Sequence, residues 1–375
     1  MGYKVRFVDP ARNYRMIKEE IDKAYFEVMS KGDLIDRQHL RDFEANLAAF
    51  VGTKYAVGLN SGYDALHMSL RAAGVGLGDE VIVPSHTFVA TASAVVNVGA
   101  KPVLVDVGKD FNIDCSKIEE AITEQTKAII PVHLNGYMAD MERIMELANK
   151  YNLVVIEDAC QSLGASMLDE KAEGKKKKAG SWGLTGCWSF YPFKMLGGYG
   201  DGGAITTNDP DVALFARRMR FNGEDRETGE YHGHGFTCLL DNLQAAFLDV
   251  KLRYLPEWIK RRQEIAKRYR RGLKDLEDLM LPHYDDPRRD HVYQNYVVRS
   301  KQGDEFSNYL KANGVEVLIQ FRKPYYKHKA LQLEDRGFPE TEALSKEVCS
   351  LPMNVEITDE EVDYVISVVR SFYSK

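Results

Sequence analysis

Between about residues 52 and 203 the chain repeats one pattern, and that pattern limits its fold more than any other feature. Short apolar runs at residues 80–84, 102–107, 128–133, 153–156 and 204–207 are separated mostly by helix-length segments. Parallel strands need such crossovers, and because both of their faces are covered they read as continuous apolar runs. The spacing predicts an α/β architecture, a mainly parallel sheet between two layers of helices.

Upstream, Tyr14, Ile17, Ile21, Tyr25 and Val28 recur at steps of three or four before Gly32, and Leu40, Phe43, Leu47 and Phe50 do so before Gly52. Each set predicts an amphipathic helix with a glycine stop. After Asp241 a single helical stretch reaches about Leu273, rich in Arg and Lys, with Pro256 expected to kink it. Further on, residues 293–299 and 316–319 read as strands, and Thr358 with Glu361 forms the capping box of a last helix. At 375 residues one core is no longer expected to serve the whole chain. The division expected is a large α/β domain over residues 12–250 and a smaller α+β domain over residues 251–375, on which the extreme N-terminus can pack.

A formal net charge of -6 gives no general attraction for nucleic acid or an anionic membrane. No run approaches the ~20 apolar residues that span a bilayer, and the N-terminus lacks the apolar stretch of a signal peptide. Cys115, Cys160, Cys187, Cys238 and Cys349 are odd in number and show no C-x-x-C spacing. Reduced thiols in the cytoplasm are expected, without disulfides or a structural zinc site. The run Lys175-Lys176-Lys177-Lys178 reads as a solvated loop tip.

Three short segments carry chemistry. Ile156-Glu157-Asp158 ends a strand on an acid at the carboxyl edge of the sheet, where α/β proteins bind ligands. Asp158 can face a cofactor there or cap the next helix. Lys194 follows Ser189-Phe190-Tyr191-Pro192-Phe193, and apolar surroundings that strip water from an ammonium favour the neutral, nucleophilic amine of a Schiff-base lysine. A surface lysine lying along apolar neighbours is the alternative. Gly198, Gly200 and Gly203 spell G-x-G-x-x-G, but they lead into a strand and not a helix, so a dinucleotide site is rejected. Asn60-Ser61-Gly62-Tyr63 opens an apolar helix, where free N–H groups suit a phosphate as well as an ordinary cap.

Together these segments resemble the DegT/DnrJ/EryC1/StrS family of pyridoxal-phosphate-dependent sugar aminotransferases, of fold type I. The resemblance runs from about Val8 to the last helix. It is most specific in Val83-Pro84-Ser85-His86-Thr87-Phe88-Val89-Ala90-Thr91, in Ile156 through Ser162, and in Ser189 through Asp209. It implies that Lys194 bonds covalently to pyridoxal phosphate, that Asp158 pairs with the pyridine nitrogen, and that Gln161 sits near the phenolic oxygen. Phe88 would stack on the ring, and Gly62, Tyr63 and Ser189 would hold the phosphate, although many relatives have Thr in place of Tyr63.

The resemblance also implies a homodimer in which Thr237 of the partner subunit reaches the phosphate, at a position where relatives usually carry Asn. Leu239 stands where Arg is common and cannot pair a carboxylate, which favours a neutral hexose over a uronic acid. Arg322 and Lys323 are candidates for a sugar-nucleotide diphosphate or for simple solvation, and His86 and Tyr199 are further substrate-side candidates. His232 and His234 read as part of a substrate-side loop and not as a metal pair. The expected partners are a nucleotide-linked keto sugar and an amino-acid donor. Lys194 argues against the dehydratase branch, which replaces the lysine with His. The alternative kept open is a pyridoxal-phosphate dehydratase or another fold type I enzyme.

Overall fold

The apolar stripe near the start belongs to two helices rather than one. In the computed structural model, which describes residues 2–170, 174–282 and 286–374, α1 (Pro10–Met16) and α2 (Lys18–Lys31) meet at Ile17, whose φ of -127° and ψ of 26° break the helix. Ile17, Ile21, Ala24 and Val28 are buried, whereas Tyr25 faces outward. Then α3 (Gln38–Val51) buries Leu40, Phe43 and Leu47 completely, each worth roughly 1.5–3 kcal/mol of apolar transfer.

Alternation follows as expected: β1 (Tyr55–Leu59), α4 (Gly62–Ala72), β2 (Glu80–Pro84), α5 (Val89–Asn97), β3 (Lys101–Val105), β4 (Thr126–Ile129), α6 (Met141–Tyr151) and β5 (Val154–Asp158). A short antiparallel pair, β6 (Ser166–Leu168) and β7 (Lys176–Lys178), precedes β8 (Thr185–Ser189), β9 (Gly203–Thr207) and α7 (Pro210–Met219). The lysine run is therefore a strand and not a loop tip. Lys176 pairs with Asp290, and Lys177 and Lys178 lie over the rings of Trp182 and Phe50.

Seven strands form the main sheet in the order β1-β9-β8-β5-β4-β2-β3. Six point the same way, and β9 runs antiparallel to both of its neighbours. One face packs on α3, α6 and the next long helix, and the other on α4, α5 and α7.

That helix, α8 (Asn242–Leu273), runs on through Pro256. Ala245, Leu248, Leu252 and Leu255 join the main core, while Ile265, Ala266, Tyr269 and Leu273 join a separate core with Val5, Phe306, Leu310 and Val362. The second core is enclosed by β10 (Leu279–Met280), β12 (Tyr296–Ser300), α9 (Gly303–Ala312), β13 (Val348–Leu351) and α11 (Asp359–Tyr373), whereas β11 (Arg289–Asp290) pairs with β6, and α10 (Pro339–Glu347) buries Leu344 in a smaller cluster with Val297 and Val348. Thr358 and Glu361 form the expected capping box. Residues 316–319 form no strand, because their backbone meets neighbours only at single bridges, Val5 with Val315 and Leu318 with Ser350. No described helix is long and apolar enough to cross a membrane.

Candidate active site

The carboxyl ends of the parallel strands converge on a cavity of about 1070 Å³. Ser61 and Gly62 follow β1, Thr87 and Phe88 follow β2, Val132 follows β4, and Asp158 and Ser189 close β5 and β8; all of them line it. Lys194 reaches the same cavity from the irregular turn between β8 and β9. Residues from the N-terminal segment, including Arg6 and Phe7, and residues 316–321 line it from the opposite side.

The floor is tightly bonded. Buried Asp158 accepts the Thr91 hydroxyl at 2.8 Å and the Cys160 N–H at 3.3 Å. Thr91 spends its proton on Asp158, so the 3.0 Å contact with Thr87 has Thr87 as donor. Gln161 Oε1 accepts the Asn135 N–H at 2.9 Å, which fixes the amide and leaves Nε2 to donate elsewhere. Glu157, one residue before Asp158, is fully buried on the other side of the strand. It accepts N–H groups from Gly180, Trp182 and Gly183 and the ring of His133. Because His133 Nδ1 accepts the Ala139 N–H, Nε2 carries the proton that Glu157 receives. Burial and the neighbouring Asp158 push the Cys160 thiol far up, so it stays protonated in the cavity wall.

At the start of α4, helix geometry leaves the N–H groups of Gly62 and Tyr63 without acceptors inside the helix. A side chain at Gly62 would meet Cys160 Sγ at 2.7 Å and Ser189 Cβ at 2.8 Å, so only glycine lets this turn approach β8. The Tyr63 hydroxyl accepts from Asn97 at 2.6 Å, and its backbone amide, in the first turn of α4, is available to an anion. In the turn behind Lys194, a Cβ on Gly197 would lie 2.3 Å from the Pro192 carbonyl oxygen, which explains part of the glycine cluster.

Residues 15–370 match the sequence pattern of the DegT/DnrJ/EryC1/StrS aminotransferase family. The chain belongs to this family. It is 40% identical to the "Pleiotropic regulatory protein" of Geobacillus stearothermophilus over 98% of each chain. It is 38% identical to the dTDP-3-amino-3,4,6-trideoxy-alpha-D-glucose transaminase of Streptomyces venezuelae, over 98% of this chain and 96% of that one. Its fold superposes on S. venezuelae DesV in complex with a ketimine intermediate with a TM-score of 0.94, 36% identity and full coverage of both chains.

As an aminotransferase of this family the chain has a site that fits pyridoxal phosphate. It offers the glycine-only cradle at Gly62, the buried acid Asp158, the amide of Gln161 and the lysine, with Phe88 60% exposed into the same space. Of the residues expected at the site, Gly62, Tyr63, Phe88, Asp158, Gln161, Ser189 and Lys194 are gathered there. Thr237 is exposed away from this cavity and donates to Asn222, and Leu239 packs on the main core.

The four substrate-side candidates do not line the cavity. His86 is buried behind Phe321, ring centroids 5.2 Å apart, and burial pulls its imidazole down to about 4. Tyr199 packs edge-on to Phe247 under Lys251. Arg322 turns to Asp304 at 2.8 Å and to the Lys346 carbonyl, and Lys323 is exposed. The cations that do line the cavity, among the described residues, are Lys194 and Arg6. Arg6 lies in a stretch with no periodicity, so no sequence signal marked it.

Proposed function

We propose that this chain moves an amino group from L-glutamate to C3 or C4 of a nucleotide-linked keto-deoxyhexose, working as a cytoplasmic homodimer. The coarser statement stands on family membership: the protein is a pyridoxal-phosphate-dependent nucleotide-sugar aminotransferase. The 3-amino sugar in the name of the Streptomyces relative favours C3. The observation that carries the reading is one cavity lined together by Lys194, Asp158, Gln161, Ser189 and Phe88.

When bound, pyridoxal phosphate supplies an electrophilic carbon and a ring that accepts the electron pair of a broken C–H bond. Asp158, buried and oriented by Thr91, favours a protonated ring nitrogen by opposite charge. Gln161 Nε2 would donate toward the ring's phenolic oxygen, and Ser189 with the amides of Gly62 and Tyr63 would hold the phosphate. Lys194 Nζ takes the proton that leaves the donor's Cα, and in the second half of the cycle protonates the sugar carbon that gains nitrogen. Arg6 offers the diphosphate a cation, and the exposed Thr237 donates to a second copy's site once its hydrogen bond to Asn222 is exchanged.

Borohydride reduction and peptide mapping should place the label on Lys194, and Lys194→Ala should lose turnover about a thousandfold or more. A label elsewhere, or full turnover in that variant, sinks the reading. Assays with dTDP-, UDP- and GDP-linked 3- and 4-keto sugars, with glutamate consumption followed, decide the ring position and the donor. The name of the Geobacillus relative raises a second reading, a non-catalytic regulator, which predicts no turnover with any of them.

A further inference from the structure

The turn that carries Lys194 has no regular secondary structure. Inside it the Lys194 N–H donates to the Tyr191 carbonyl at 2.8 Å and the Gly198 N–H to the Phe190 carbonyl at 2.7 Å, and the peptide groups flanking Lys194 are bonded from outside. Gln294, distant in sequence, supplies the hold. Its Oε1 accepts the Met195 N–H at 2.8 Å, and its Nε2 donates to the Phe193 carbonyl at 3.0 Å. Those two groups belong to the peptide units on either side of Lys194, so one planar amide grips both. The pairing fixes the amide's orientation, because exchanging its oxygen and nitrogen would set donor against donor and acceptor against acceptor.

Gln294 is itself anchored. It is buried, it lines the cavity, and Arg262 of α8 donates to the carbonyls of Tyr293, Gln294 and Met353 at 2.9, 3.3 and 2.8 Å. Farther along the same turn, Lys251 Nζ donates to the Gly197 carbonyl at 2.7 Å and Gln244 Oε1 accepts the Tyr199 N–H at 2.9 Å. Those contacts steady the glycines. Gln294 alone among these side chains spans Lys194.

We propose that Gln294 is a positioning residue for Lys194: it fixes the backbone at residue 194 and so the direction from which Nζ meets the reacting carbon. The inference rests on the reading of Lys194 given under Proposed function. A proton-transfer group displaced by about 1 Å can lose about 100-fold in rate, while substrate binding elsewhere in the cavity is untouched. The effect therefore belongs in kcat and not in KM.

The test compares Gln294→Leu, similar in size and without polar atoms, with Gln294→Glu, which keeps the acceptor for Met195 and loses the donor to Phe193. Per cofactor-occupied site, kcat should fall about 10- to 100-fold in Gln294→Leu and less in Gln294→Glu, with both KM values within about twofold. The isotope effect on kcat with a Cα-deuterated amino donor should rise, because the proton transfer at Lys194 has become slower. Amide hydrogen exchange in the peptide holding Lys194 and Met195 should accelerate in the substrate-free protein. A kcat per occupied site within about twofold of wild type, or an unchanged isotope effect, overturns the proposal. If Gln294→Leu is insoluble, Gln294→Glu decides by the same readings. Full turnover in Lys194→Ala would defeat the reading of the lysine itself; an inactive Lys194→Ala beside an unaffected Gln294→Leu would defeat only this inference.

Discussion

The two walls of the cavity are built differently. The floor comes from strand ends, and its polar side chains Asp158 and Gln161 are buried and bonded, Asp158 to Thr91 and the Cys160 N–H and Gln161 to the Asn135 N–H. The opposite wall comes from irregular chain, the N-terminal segment and residues 316–321, joined by single bridges and carrying exposed side chains such as Tyr3 and Leu318. Arg6 there is tied only loosely, 3.8 Å from Asp9. Asp158 takes its fixed geometry from a sheet edge, and Lys194, although on an irregular turn, has the peptide units on either side of it bonded to Gln294, whereas recognition of a bulky substrate is carried well on adaptable chain.

If that division holds, changes in the floor lower kcat and changes in the roof raise KM. The largest effect after loss of Lys194 is expected for Asp158→Asn, about 100-fold or more in kcat with weakened cofactor retention, measured by steady-state kinetics and cofactor absorbance. An Asp158→Asn enzyme with normal kcat would break the comparison.

Next comes His86, between the two walls. Its imidazole titrates near 4 when folded, against an ordinary 6.5, so between those values the unfolded chain binds a proton that the folded chain refuses. Stability is lost as pH falls through that window, by up to about 3 kcal/mol. Buried His291 adds in the same direction. Urea unfolding should show wild type losing roughly 2 kcal/mol more than His86→Phe between neutral pH and about pH 4.5. Equal losses would mean that another group carries the acid sensitivity.

Arg6→Ala should raise KM for the sugar nucleotide about tenfold with kcat nearly unchanged, since one charge-assisted contact is removed. A fall in kcat instead would place Arg6 with the chemistry. Smallest of all, Arg322→Ala should leave both constants within about twofold, because Asp304 and the Lys346 carbonyl already hold its guanidinium outside the cavity.

The same contrast governs what could be read in advance. A strand that ends in Asp158 and a lysine set among aromatics are local signals, and the structure gathers both on one cavity. β1 and β8 are weakly marked in the sequence because Gly58 and Gly186 interrupt the apolar runs of Tyr55–Leu59 and Thr185–Ser189. The break at Ile17 leaves the three- and four-residue spacing intact, so periodicity gave one helix where there are two. Residues 316–319 have the composition of a strand but lack a partner edge that runs alongside them. Arg6 and Gln294 act through long-range contacts, which spacing along the chain does not encode.

The tandem acids Glu157 and Asp158 point to opposite sides of β5, one organising a buried turn and the other facing the cavity. Because side chains on a strand alternate, a single-residue deletion within Val154–Asp158 would turn the loop-organising acid toward the cavity and its neighbour toward the interior. A shift of register here should abolish activity even when the composition of the strand is kept, whereas a one-for-one exchange leaves each acid on its own side.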